Sequence, residues 1–162
     1  MERLQTVSDF ENHAKDRLTR SARDYYFAGA NGMLTLNSTR AAFDRIKLKR
    51  AAEVDVRKFE GTQTTVMGIK VNSPVMIAST AFHRMAHPDG EIATAKAAEA
   101  FYQTALSLSN WATTANEEFG KAAPNCLKMF QIYMSKREEV NKDLWKRVKD
   151  SGFTAMLLTT DT

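Results

Sequence analysis

Four clusters of small, neutral hydrogen-bonding residues recur from residue 79 to the end of this 162-residue sequence. They are Ser79-Thr80-Ala81, Ser109-Asn110-Trp111-Ala112-Thr113, Gln131 with Tyr133, and Thr159-Thr160-Asp161-Thr162. Each follows a short apolar run. Hydroxyls, amides and a phenol offer donors and acceptors with little bulk, and backbone beside small residues can be approached closely. Gathered on one surface, such groups suit the edge of a planar, heteroatom-rich ring. Gln131 carries the sharpest signal, because an amide between Phe130 and Ile132 is costly to bury unless it has a partner. Tyr133 lies just past the apolar part of the same run. Tyr25 offers a further phenol, although taken alone it is better explained as a half-buried packing residue.

Other reactive side chains point to less. His83 and His87 fall in one loop without a third ligand, so they read as structural or exposed groups and no metal site is expected. Cys126 is the single cysteine, which rules out an internal disulfide and favours a reducing compartment. Met76, Met129 and Met156 are core filler.

The elements that must position these groups divide into a helical lead-in and an alternating part. Ser8 and Glu11 match a capping box, so a helix is expected from Asp9 to about Leu18. A second covers about Ala22 to Ala28, stopped by Gly29 and the Asn31-Gly32 turn signal, and a third about Ser38 to Arg45. Two β-like runs follow, Thr64–Met67 and Lys70–Asn72. From Pro74 onward the rhythm is strand, helix, strand. Val75–Ala78, Thr104–Leu108, Leu127–Tyr133 and the run from Phe153 read as buried strands. Helices are expected over about Gly90–Phe101, with Glu91 in the first turn, then after a Thr114/Glu117 capping box to an end near Gly120, and over about Arg137–Asp150. In the last of these, Val140, Leu144 and Val148 form an apolar stripe and Gly152 sits at the C′ position.

This order predicts four parallel strands with helical crossovers, in an α/β fold. There is neither an early G-x-G-x-x-G nor a P-loop. A small doubly wound sheet and half of a (β/α)8 barrel share the pattern. The polar residues at all four C-terminal strand tips favour the barrel, where side chains converge on that face. A flavin is the kind of ring such a face would hold.

Charge and leader signals exclude further classes. The net charge is +4, but the basic residues are dispersed. The densest group, Arg45, Lys47, Lys49 and Arg50, lacks interleaved aromatics, so nucleic acid is not an expected partner. The N-terminus has no apolar h-region and no run long enough to span a bilayer exists, so a membrane partner is not expected either. Thr160-Asp161-Thr162 is not a peroxisomal address.

The ordered segments resemble the FMN-dependent 2-hydroxy-acid oxidases of the glycolate oxidase and lactate oxidase type. The resemblance rests on Asp24-Tyr25-Tyr26-Phe27-Ala28-Gly29-Ala30, Thr35-Leu36, Ala42-Phe43, Arg84-Met85-Ala86-His87-Pro88-Asp89-Gly90-Glu91, Ser109-Asn110-Trp111-Ala112-Thr113, Phe130-Gln131-Ile132-Tyr133 and Thr159-Thr160-Asp161-Thr162. It covers nearly the whole chain, in order. It implies a helical lead-in over residues 1–73 and, over residues 74–162, the first four β/α units of an FMN-binding TIM barrel. It further implies that Ser79, Thr80, Ala81, Ser109, Gln131 and Thr159 contact FMN, and that Tyr25 and Tyr133 contact the substrate. The implied reaction turns a small (S)-2-hydroxy acid into a 2-oxo acid, with oxygen reduced to hydrogen peroxide. Peroxisomal localisation and a homo-oligomer are implied in the same way.

The sequence also departs from that family. Ala100-Phe101-Tyr102-Gln103 stands where a small Ala-Gly turn is usual, Asn110 replaces a serine, and Thr39 an asparagine. Loss of a C-cap glycine costs up to about 1 kcal/mol where φ must be positive. The family's proton-accepting histidine, carboxylate-binding arginines and phosphate site belong to later strands, and His13, His83 and His87 do not match that base. No catalytic residue is therefore assigned within these residues. The alternative expectation is an inactive truncated isoform or remnant that binds flavin weakly or pairs with a complementary half.

Overall fold

The computed structural model describes residues 4–49, 55–101 and 103–161. Arg50, Tyr102 and Thr162, named above, lie outside them. The chain forms two compact units, Met1–Phe59 and Glu60–Thr162, each described by itself.

The first unit is helical: α1 (Val7–Arg17), α2 (Arg20–Phe27) and α3 (Leu34–Arg45). The capping box of α1 is Thr6 with Asp9, not Ser8 with Glu11. Thr6 Oγ1 accepts the Asp9 amide at 3.1 Å and the Asp9 carboxylate accepts the Thr6 amide at 2.8 Å. Aspartate is long enough to close the same reciprocal pair as glutamate. Glu11 instead binds Lys15 at 2.7 Å and Arg40 at 3.2 Å, holding α1 to α3. The third helix starts four residues before Ser38, at Leu34, because Met33 turns the chain into it with a φ of 56°. Arg45, Lys47 and Lys49 are exposed, as a solvated face should be.

The second unit opens with an antiparallel hairpin of β1 (Thr64–Val66) and β2 (Ile69–Val71). After a 3-10 turn at His83–Met85 come α4 (Gly90–Phe101), β3 (Leu106–Leu108), α5 (Asn116–Ala122), β4 (Lys128–Ile132), α6 (Glu138–Asp150) and β5 (Ala155–Leu158). Strands β3, β4 and β5 make one parallel sheet in that order. The expected strand at Val75–Ala78 is reduced to a single parallel bridge, Ile77 to Leu106. Ile77 donates to the Ala105 carbonyl at 3.0 Å and accepts from Ser107 at 2.9 Å. Val75, the next residue on that edge, gives its amide to Ser73 Oγ at 3.2 Å instead of to the neighbouring strand, and it remains 72% exposed.

The two faces of the sheet do different work, as the two-residue period of strands requires. Leu106, Leu108, Phe130 and Ile132 pack with Ala95, Ala98, Phe119, Val148 and Phe153 from the helices. The opposite face begins apolar, with Ala105, Leu127, Met129 and partly buried Ala155 packed on Val66 and Val71 of the hairpin. Two to four residues further along, that face turns polar, at Ser107, Ser109, Gln131 and Thr159. The hairpin therefore seals the N-terminal ends of the strands, and the polar groups collect at the C-terminal ends.

Two helix ends differ from expectation. Helix α5 is not capped by Thr114; Ala115 is its N-cap, without a side-chain bond. The Thr114 hydroxyl has gone to a carboxylate described below. Gly120 does not end this helix but lies inside it, where an added Cβ would collide with the Ser151 carbonyl oxygen. At the end of α6, Gly152 has the positive φ, 78°, that its C′ position calls for.

Candidate functional site at the strand tips

Parallel pairing of β3, β4 and β5 sets Ser107 beside Met129 and Gln131 beside Leu157. The chain just past each strand then meets its neighbour. Ser109 Oγ donates to Gln131 Oε1 at 3.3 Å, and the Asn110 amide donates to the same oxygen at 3.0 Å. Gln131 Nε2 donates to Thr159 Oγ1 at 2.7 Å. A backbone N–H can only donate, so Asn110 fixes which end of the Gln131 amide is oxygen. Trp111 adds an amide donor to Ser109 Oγ at 3.1 Å. The bonds thus run in one direction, from Trp111 through Ser109 and Gln131 to Thr159. Because Thr159 Oγ1 accepts from Gln131, its own hydroxyl hydrogen is directed elsewhere.

Ser79 joins the same rim through Ser107, their hydroxyl oxygens 2.6 Å apart. Ser107 was not singled out from the sequence; it lies within the apolar run Leu106–Leu108, and only its position two residues before Ser109 marks its face. Thr80 is exposed and its hydroxyl donates to the Ala78 carbonyl at 3.3 Å, a local turn contact. Ala81 is half-buried in the following loop. Tyr133 is half-buried just past β4, its ring 6.4 Å from that of Trp111, which in turn lies 6.1 Å from Phe82. The structure therefore brings Ser109, Gln131 and Thr159 into one network, with Ser79 alongside and Tyr133 at its edge. Tyr25 belongs to α2 of the other unit, where it is half exposed and meets Tyr26 edge to face, centroids 5.2 Å apart.

One group with a large role looks, in the sequence, like no more than an acid in a helix's first turn. Glu91 is 1% exposed. Its Oε1 accepts the backbone amides of His83 at 3.1 Å and Thr113 at 2.8 Å. Its Oε2 accepts the hydroxyls of Thr113 and Thr114, each at 2.7 Å. Burial by itself would raise this carboxyl, but the donors from Thr113 and Thr114 outweigh it and hold the pKa down to about 2. Thr113 and Thr114, which supply three of these four donors, are 22 and 23 residues away along the chain, beyond the reach of any local spacing rule.

The two loop histidines, His83 and His87, make local contacts. His83 Nδ1 lies 3.2 Å from Thr94 Oγ1, and the exposed His87 accepts the Asp89 amide at 3.2 Å. Among the described residues no three His, Cys, Asp or Glu side chains are grouped to hold a metal. Cys126 is buried, and that burial pushes its thiol up to about 12, far from a nucleophile. No helix among the described residues is long and apolar enough to cross a membrane.

The donor set at the strand tips fits the edge of a flavin ring: neutral hydroxyls and an amide, oriented by one another, on a floor sealed by apolar side chains. Comparison with known proteins bears on the same point. Glycolate oxidase 1 of Zea mays is 42% identical over 162 residues, all of this chain and 43% of that protein. 2-Hydroxyacid oxidase 1 of Homo sapiens is 40% identical over 165 residues, 99% of this chain and 43% of that protein. Among solved structures, the recombinant flavin-binding domain of baker's yeast flavocytochrome b2 superposes with a TM-score of 0.92 at 30% identity, covering 98% of this chain and 41% of that one. The chain thus spans less than half the length of these relatives. Residues 14–162 match the description of FMN-dependent dehydrogenases, and to that family the chain belongs.

Proposed function

We propose that this chain forms the first four β/α units of a (β/α)8 barrel that binds FMN and oxidises a small (S)-2-hydroxy acid to the 2-oxo acid. The observation that carries the reading is the directed network Ser109–Gln131–Thr159 at the C-terminal ends of adjacent parallel strands. Family membership and similarity to glycolate and 2-hydroxyacid oxidases support it.

In this reading Ser79, Thr80, Ala81, Ser109, Gln131 and Thr159 hold FMN, and Tyr25 and Tyr133 contact the substrate. FMN, when bound, supplies a two-electron acceptor. The substrate loses a hydride equivalent from its α-carbon and a proton from its hydroxyl. Molecular oxygen takes up those two electrons and two protons and leaves as hydrogen peroxide. The protein residues act on position: Gln131 and Thr159 present an amide and a hydroxyl of fixed direction, and Tyr133 offers a phenol beside Trp111. None of His13, His83 and His87 is assigned as the base that takes the hydroxyl proton. A peroxisomal setting and a homo-oligomeric state complete the proposal.

The test is reconstitution. The 162-residue chain, refolded with FMN and desalted, should retain a flavin absorption band. Bleaching of that band by glycolate or lactate under nitrogen, with peroxide formed on readmitting air, would establish turnover. A colourless chain would defeat FMN binding by these residues. A yellow one that no 2-hydroxy acid bleaches would defeat the oxidase assignment for this chain.

A further inference from the structure

We infer that Glu91 is a positioning residue, whose buried carboxylate clamps the loop after residue 78 to the loop after β3 and so sets the spacing of Ser79 and Ser109 at the cofactor rim. This rests on the FMN reading given above. The two loops carry different parts of the rim and come from different strands. Direct links between them include the Phe82 amide to the Trp111 carbonyl at 3.1 Å and the Arg84 amide to Thr113 Oγ1 at 3.2 Å. Glu91 completes the connection with four hydrogen bonds, one to the first loop and three to the second.

The division of labour between its oxygens is informative. Oε1 takes only backbone amides, which can do nothing but donate, and Oε2 takes only hydroxyls, which can donate or accept. A glutamine could keep its carbonyl at the first position and turn both hydroxyls round to accept from its amide at the second. Shape and bonding capacity are then preserved without charge. An alanine would leave two N–H groups and two hydroxyls without their acceptor, and the loops would then be joined without the charged centre that gathers four of their donors. Helix-dipole stabilisation alone, the ordinary use of an acid in a first turn, would require neither burial nor four cross-loop donors.

The experiment compares wild type, Glu91→Ala, Glu91→Gln and Thr114→Val in the full chain. Two quantities are read: FMN affinity by flavin fluorescence quenching, and hydrogen exchange at the His83 and Thr113 amides without FMN. Glu91→Ala should weaken FMN binding at least about tenfold and deprotect both amides, as loss of bonds to a charged acceptor implies. Glu91→Gln should stay within about threefold of wild type, and Thr114→Val, which removes one bond, should weaken binding by about threefold. A folded Glu91→Ala chain with wild-type FMN affinity would overturn the inference. Should Glu91→Ala fail to fold, Thr114→Val decides: wild-type affinity and protection in that variant overturn the clamp. A wild-type chain that takes up no FMN fails before any variant is compared. That outcome removes the FMN reading and this inference with it, whereas variant results on a yellow wild type address Glu91 alone.

Discussion

Gln131 and Thr159 lie on adjacent parallel strands, and the Gln131 amide nitrogen donates to the Thr159 hydroxyl at 2.7 Å. The other end of the same amide accepts from Ser109 and from the Asn110 backbone. One side chain therefore joins the tips of three successive strands and gives the chain of bonds a direction. A buried amide at this place is tolerated because both of its ends are satisfied.

Replacing Gln131 by leucine keeps the volume and removes both ends of the connection. The Asn110 amide then loses its acceptor inside the protein. Unfolding stability should fall by about 1–3 kcal/mol, the usual penalty for stranding a buried polar group. Urea unfolding measures it, and an unchanged midpoint would show the network to be slack. The same variant should lose FMN affinity beyond any loss in folded fraction.

Glu91 makes the fold sensitive to acid in a definite window. Its pKa is depressed from 4.5 to about 2 in the folded chain, burial being outweighed by the donors from Thr113 and Thr114. A depressed folded value means the unfolded chain binds the proton more readily. The stabilisation is full above about pH 4.5 and is lost as pH falls toward 2, amounting to about 3 kcal/mol across that range. The difference in stability between wild type and Glu91→Gln, followed by denaturation from pH 6 to 2, should shrink with acid over that interval. A difference that stays constant with pH would remove Glu91 from the acid response.

Much of this was legible in the sequence because it follows local rules. The apolar runs at Leu106, Phe130 and Met156 marked strands, the stripe of Leu144 and Val148 marked α6, and polar residues past the runs marked the rim. What escaped depended on distant partners. Thr114 followed by Glu117 has the spacing of a capping box, but the Thr114 hydroxyl is drawn to Glu91, a charged acceptor and so a stronger one than a helix amide is a donor. Val75–Ala78 has the composition of a central strand yet pairs through Ile77 alone, since composition does not say how many neighbours a strand will find. Gly120 has the local look of a helix stop, but it lies inside α5 and its lack of a side chain serves contact with Ser151.

That contact gives a prediction of unusual sign. Glycine to alanine inside a helix ordinarily stabilises by about 1 kcal/mol through backbone entropy. At Gly120 the new methyl would run into the Ser151 carbonyl oxygen, which is backbone and cannot swing aside. Gly120→Ala should therefore destabilise, by about 1–3 kcal/mol as overpacked sites do. Thermal unfolding with a raised midpoint would refute the close approach of α5 to the end of α6.

Gln103 presents the opposite case. Its amide bonds the Ala98 carbonyl at 2.7 Å as the chain leaves α4, and its φ is 41°. This is the left-handed region, which a side chain enters at a cost of about 1–2 kcal/mol. Gln103 is exposed, so its side chain has little packing to lose. Gln103→Gly should accordingly stabilise the chain by about 0.5–1 kcal/mol, the relief of strain being partly offset by the greater freedom of glycine in the unfolded state. Gln103→Ala supplies the control, since it removes the same side chain but keeps the Cβ. A gain in the urea midpoint for glycine and none for alanine isolates the backbone as the cause. Equal shifts in both variants would show that the side chain, not the positive φ, sets the stability of this turn.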